Sequence, residues 1–239
     1  NKKKGLLKLI MQVRKNRYDL IVDFRNSLIP YFLRGKYKLT FFLKEFFSDK
    51  TFTHEAERNL SFIEPFFGRE KNIQLYFPLN KVYKEKGEEI LLKYGIKRSD
   101  NIVVLCPGAN FEGKRWDKNK FAQLGKELFR YYDIKIIAVG SKNEISLANE
   151  VIQKIDNKNA FSLAGQTNIR ELAAILEMSS LLITNDTGTM HLASAVGCPI
   201  VAIFGPGNPY RYGPIGVKNQ VVHSGMDCFP CKVESKCKI

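Results

Sequence analysis

Apolar residues recur along this chain in two rhythms. The first is the short, nearly unbroken run: Tyr18–Phe24, Ile102–Cys106, Ile134–Val139, Ala160–Leu163, Leu181–Thr184 and Ile200–Phe204. Runs of this length, bounded by turn residues, read as strands buried on both faces. The second has a helical period. It covers Leu6–Val13, His54–Phe67, Lys81–Tyr94, Asn119–Tyr131, Ile169–Met178 and Met190–Val196. Lys36–Phe42 reads as a further strand, and Leu28–Leu33 as a helix interrupted near Pro30. Strand and helix alternate, which predicts an α/β fold with parallel sheets. Gly95 closes a charged helix and Ile96–Asp100 leads out of it, so the spacing predicts two domains, 1–98 and 99–239.

The turns after the strands carry the candidate chemistry. The stretch Ser180–Pro209 reads strand, polar turn, helix, strand, a βαβ unit with a right-handed crossover. Thr187 or Thr189 can cap its helix and Gly197 can end it. A helix N-terminus offers unpaired N–H groups and the positive end of a dipole, suited to a phosphate or diphosphate. Gly188 lets a ligand approach the backbone, and Asp186 stands at the carboxyl end of its strand, where open α/β sheets bind ligands. The plainer alternative is that Asp186 and Thr187 only cap the helix. Lys114 follows the strand Ile102–Cys106 in a second such loop, and Glu144 follows the next strand. By residue type alone these are a surface cation and a helix-starting acid.

Composition narrows the partners. The chain has 239 residues, 44% of them hydrophobic, enough for an ordinary buried core, and a formal net charge of +14. The charge points to anionic partners: phosphorylated small molecules, an anionic membrane surface or nucleic acid. The lysines are scattered and no nucleic-acid motif accompanies them, so nucleic acid is not expected. No apolar run approaches the ~20 residues that span a bilayer. Asn1–Met11 reads as an amphipathic helix rather than a leader. Cys106 and Cys198 read as buried thiols of a reducing, cytoplasmic location. Cys228, Cys231 and Cys237 form a CxxC with a third cysteine, short of the four ligands of a zinc site, and no metal is assigned.

The motifs together resemble glycosyltransferase family 9, the bacterial heptosyltransferases. The resemblance rests on Asp186-Thr187-Gly188, Met190-His191, Ala193, Ala195, Pro199 and Ile200–Gly205. Pro107-Gly108-Ala109 with Lys114-Arg115-Trp116, the Gly140…Glu144 spacing, and the strand Tyr18–Asp23 followed by Ser27 extend it. It implies a GT-B type fold of two Rossmann-like parallel-sheet domains and a glycosyltransferase that moves heptose from ADP-heptose to the lipopolysaccharide inner core. Transfer would invert the anomeric carbon and need neither metal nor cofactor. The acceptor would be a phosphorylated lipid, met as a peripheral protein at the inner face of the membrane.

By this resemblance Lys114 meets the donor diphosphate, Glu144 the ribose, and Asp186, Thr187 and Gly188 the sugar and diphosphate. His191, one turn into the helix, bonds a phosphate or braces the Asp186 loop. Asp23, Arg25, Asn26 and Ser27 fall on the acceptor side. The family's opening strand and the Gly-Asp turn bearing its base match nothing here. The N-terminal domain is therefore expected to be incomplete, with the catalytic base upstream of Asn1 and the chain truncated at both ends. The alternatives are a related transferase for another nucleotide-sugar and a non-catalytic fragment that binds nucleotide or glycolipid.

Overall fold

The structure is a computed structural model and describes residues 2–25, 27–40, 54–69, 72–216, 218–225 and 229. Residues 41–53 lie outside this set, as do Cys228, Cys231 and Cys237, which the sequence singles out. The chain divides into two compact units, Asn1–Asn72 and Ile73–Ile239.

In the first unit, helix α1 (Lys2–Val13) leads into strand β1 (Tyr18–Asp23). A short 3-10 turn at Ile29–Phe32, with Pro30 in its first turn, follows where the sequence predicts a helix interrupted near Pro30. Strand β2 (Gly35–Thr40) returns parallel to β1, in register from Tyr18 opposite Gly35 to Asp23 opposite Thr40. Helix α2 (Glu55–Phe67) starts at His54, whose Nδ1 accepts from the Ala56 N–H at 3.1 Å. His54 thus serves, at Nδ1, as a helix cap.

The second unit begins with helix α3 (Lys81–Leu92), which the sequence reading assigned to the first domain. Leu91 and Ile96 are buried in the core of the second unit, and α3 packs on α6 (Ile169–Met178), so the helix belongs with the sheet that follows it. That sheet has strands β3 (Ile102–Cys106), β4 (Lys135–Ala138), β5 (Ala160–Ser162), β6 (Leu181–Asn185), β7 (Ile200–Phe204) and β8 (Asn219–His223). All pairings are parallel, in the order β5-β4-β3-β6-β7-β8. Strand β8 has no apolar run to announce it: it is an edge strand with four of five residues exposed.

Every residue of β3 is buried, and its side chains alternate between two apolar layers. Ile102, Val104 and Cys106 pack with α3, α6 and α7 (Gly188–Val196). Val103 and Leu105 pack with α4 (Lys118–Tyr131) and α5 (Ile145–Ile155) on the opposite face. Strand β3 lies between β4 and β6, so the chain builds outward from it in both directions. The carboxyl ends of β3 and β6 flank a topological switch point, where open α/β sheets leave a crevice.

Candidate active site

A cleft of about 710 Å³ opens at that switch point. It is lined from the loop after β3 (Gly108, Lys114), the loop after β4 (Ser141, Glu144), the segment entering α6 (Thr167–Ile169) and the start of α7 (Asp186–Thr189, His191). Its size suits a drug-sized or nucleotide-sized ligand. The cleft brings together all six residues expected to face the donor: Lys114, Glu144, Asp186, Thr187, Gly188 and His191.

The loop after β3 is held to the end of β6 by side chains. Asn185 is fully buried, and its Nδ2 donates to the carbonyls of Pro107 at 2.9 Å and Gly108 at 3.2 Å. Its Oδ1 accepts from the Trp116 N–H at 2.9 Å. The Arg115 guanidinium donates twice to the Ala109 carbonyl, at 3.0 and 2.9 Å. The Trp116 ring meets Phe121 edge-on with centroids 5.0 Å apart, which seats the loop on α4. Asp117 then caps α4 by accepting from the N–H groups of Asn119 and Lys120.

So held, Lys114 Nζ donates to Asp186 Oδ2 at 2.8 Å. The Asp186 side chain is 9% exposed and that of Lys114 25%. Exposed ion pairs stabilise a fold by about 1 kcal/mol at most, and this pair is only partly shielded, so its importance lies in where it holds an ammonium. Gly207 gives the Asp186 carboxylate its room: a Cβ there would stand 2.5 Å from Oδ2.

Thr187 is the N-cap residue of α7 by position, yet its side chain makes no capping hydrogen bond. Its hydroxyl lies 3.3 Å from that of Thr184 instead. The cap expected from Thr187 or Thr189 is therefore absent at Thr187, and the helix begins at the cleft with Gly188 exposed. Gly197 ends the helix in a left-handed conformation, as expected. Cys106 also lines the cleft; burial pushes its thiol pKa up, against hydrogen bonds with Thr189 and Thr184 that favour the thiolate.

Glu144 starts its helix, as its residue type suggests. Its Oε2 accepts from the N–H and the hydroxyl of Ser141, both at 2.7 Å, in a capping box. The same carboxylate lies against Gly108, where any Cβ would collide with it. It is thus a structural cap whose second oxygen remains at the cleft wall.

In the first unit, Asp23 organises a turn of its own. It accepts from the Arg25 N–H at 2.8 Å, the Ser27 N–H at 2.7 Å and the Ser27 hydroxyl at 2.6 Å. Burial raises the Asp23 pKa, but these hydrogen bonds and the Arg25 charge outweigh it and hold the carboxyl below its usual value. Asn26 lies outside the described residues. Among the described residues, no group of three His, Cys, Asp or Glu is placed to hold a metal ion, and no helix is long and apolar enough to cross a membrane.

Sequence reasoning gave no role to Asn185 or Arg115 and named no residue at the α6 entry, Thr167–Ile169. The first two act on backbone atoms, Asn185 on those of a distant loop and Arg115 on its own, which no spacing rule records. The third had a signal: it follows β5, and in a parallel sheet every loop after a strand opens on the same edge.

The family model for glycosyltransferase family 9 (heptosyltransferase) matches residues 6–238. A lipooligosaccharide heptosyltransferase 2 from Campylobacter jejuni is 30% identical over 244 residues, covering 94% of this chain and 74% of that protein. Among solved structures, a glycosyltransferase family 9 protein from Veillonella parvula superposes with a TM-score of 0.81 at 22% identity, covering 94% of this chain and 68% of that one. The E. coli ADP-heptose lipopolysaccharide heptosyltransferase II superposes at 0.72 and 22% identity, covering 90% and 71%. The α/β fold of parallel sheets expected from the sequence, of GT-B type, is the fold of these relatives. The chain belongs to glycosyltransferase family 9, the heptosyltransferases.

Proposed function

We propose that this chain transfers a heptose from ADP-heptose to the inner core of lipopolysaccharide, inverting the anomeric carbon without a metal. The observation that carries the reading is the Lys114–Asp186 pair, 2.8 Å long, in one cleft with the uncapped start of α7. The donor's diphosphate binds at that helix start, where backbone N–H groups and the dipole favour anions. Lys114 turns from Asp186 to the diphosphate, and Asp186 is left to accept from hydroxyls of the heptose. Glu144 accepts from the ribose hydroxyls with the oxygen not used by Ser141.

In the transfer step the acceptor hydroxyl oxygen bonds to the anomeric carbon. The bond from that carbon to the diphosphate oxygen breaks, and ADP departs with the electron pair. A general base takes the hydroxyl proton. The developing charge on ADP is met by Lys114 and by N–H groups already in place, which cost no reorganisation as the bond breaks.

The first domain supplies the acceptor side through Asp23, Arg25, Asn26 and Ser27. The net charge of +14 favours a phosphorylated lipid acceptor at an anionic membrane surface. On this reading the protein works in the cytoplasm, peripherally at the inner membrane.

A thermal-shift titration with ADP, UDP and GDP tests the donor. ADP at about 100 times its Kd should raise Tm by roughly 5–10 °C, UDP and GDP much less, and Lys114→Ala should remove most of the ADP shift. A preference for UDP or GDP would reject ADP-heptose as donor.

A further inference from the structure

We infer that Asn185, together with Arg115, is a positioning residue that sets where Lys114 meets the donor's diphosphate. The inference rests on the donor reading above. Asn185 spends its whole carboxamide on backbone atoms of the loop that carries Lys114: Nδ2 on the carbonyls of Pro107 and Gly108, Oδ1 on the N–H of Trp116. It touches the loop on both sides of Lys114, at its exit from β3 and two residues past the lysine. Arg115 adds a third tether, from inside the loop to the Ala109 carbonyl. Asn185 is also the residue immediately before Asp186, the ion-pair partner of Lys114. One fully buried side chain therefore fixes the ammonium and the carboxylate to the same point of the sheet.

The residue type follows from the partners. The site needs two donors facing carbonyls and one acceptor facing an N–H, and among side chains of this size only a carboxamide supplies both. An aspartate would set its charge against two carbonyl oxygens. A serine is too short to reach both sides of the loop. Because the amide is buried, its contacts are not exchanged for water when a ligand comes and goes. The geometry of the Lys114 loop is thus set before the nucleotide arrives.

Calorimetric titration of the full chain with ADP and with AMP separates this role from general stability, since AMP lacks the second phosphate. Asn185→Ser should weaken ADP about tenfold and leave AMP within about twofold, the size expected for losing a placed charge-assisted contact. In the Lys114→Ala background, Asn185→Ser should weaken ADP no further. Parallel loss of ADP and AMP, or losses that multiply in the double variant, would overturn the inference. Should Asn185→Ser not fold, Arg115→Ala frees the same loop from its exposed tether and is held to the same ADP-selective loss, with parallel losses again overturning it. If Lys114→Ala binds ADP and AMP like the parent, the donor reading itself fails. If Lys114→Ala is selective and the Asn185 and Arg115 variants are not, only this inference fails.

Discussion

A single carboxylate shows how tightly the cleft is built. Asp186 Oδ2 has Lys114 Nζ on one side at 2.8 Å, and the Cα of Gly207 stands where any larger residue would add a Cβ 2.5 Å away. Gly207→Ala must therefore move the carboxylate, and with it the ammonium. The variant is expected to fold, with a Tm close to the parent's, and to bind ADP about tenfold more weakly, the worth of a charge-assisted hydrogen bond. Calorimetry with ADP beside a melting curve checks it: unchanged ADP affinity would mean that the pair is not what holds the ammonium in place. At this scale the sequence was legible where residue type and spacing carry the chemistry. Asp186, Thr187 and Gly188 are legible that way, Lys114 and Glu144 only through the resemblance to family 9, and all five line one cleft. Asn185 is not legible, since its partners lie 69 to 78 residues away and are backbone groups, which every residue has. Glu144 has two readings in the sequence; the structure shows the helix-starting one and places the residue at the cleft wall.

At the scale of elements, the alternation of apolar runs and helical spacing located the strands β3 to β7 and the helices α4, α6 and α7, but not α5 (Ile145–Ile155) between β4 and β5. It failed at two further places for physical reasons. Strand β8 sits at the sheet edge with most of its residues in solvent, so Asn219–His223 has no need of the apolar run that marks a buried strand. Helix α3 was placed in the first domain because Gly95 and the polar stretch after it read as a linker. Leu91 and Ile96, each 1% exposed, instead close the apolar layer under β3 and α6. We accordingly propose that residues 73–98 fold with the nucleotide-side unit. Leu91→Ala should then cost about 2–5 kcal/mol, the usual range for emptying a buried leucine site. The loss should appear in the melting of the second unit, followed by the fluorescence of Trp116, the chain's one tryptophan. A loss below about 1 kcal/mol, or one that leaves the Trp116 transition where it was, would return α3 to the first unit.

The whole molecule is strongly cationic, 38 Lys and Arg against 24 Asp and Glu, and acids such as Glu150 and Glu177 are already bound in local ion pairs. The surplus positive charge acts at long range, drawing anions toward the surface. It does not choose among them. Selection falls to the cleft at the switch point, where parallel topology gathers loops from distant parts of the chain onto one edge of the sheet. The topology explains why residues as far apart as Lys114 and Asp186 form one ion pair, and why they point at a helix start suited to phosphate. The central claim is that this cleft holds a nucleotide diphosphate between Lys114 and the first turn of α7. A crystal structure of the chain with ADP tests it most directly. The account predicts the two phosphates at the N–H groups of Thr187–Thr189, with Lys114 Nζ about 2.7–2.9 Å from a phosphate oxygen and no longer paired with Asp186. Phosphates bound elsewhere, or bound there with the Lys114–Asp186 pair intact, would contradict it.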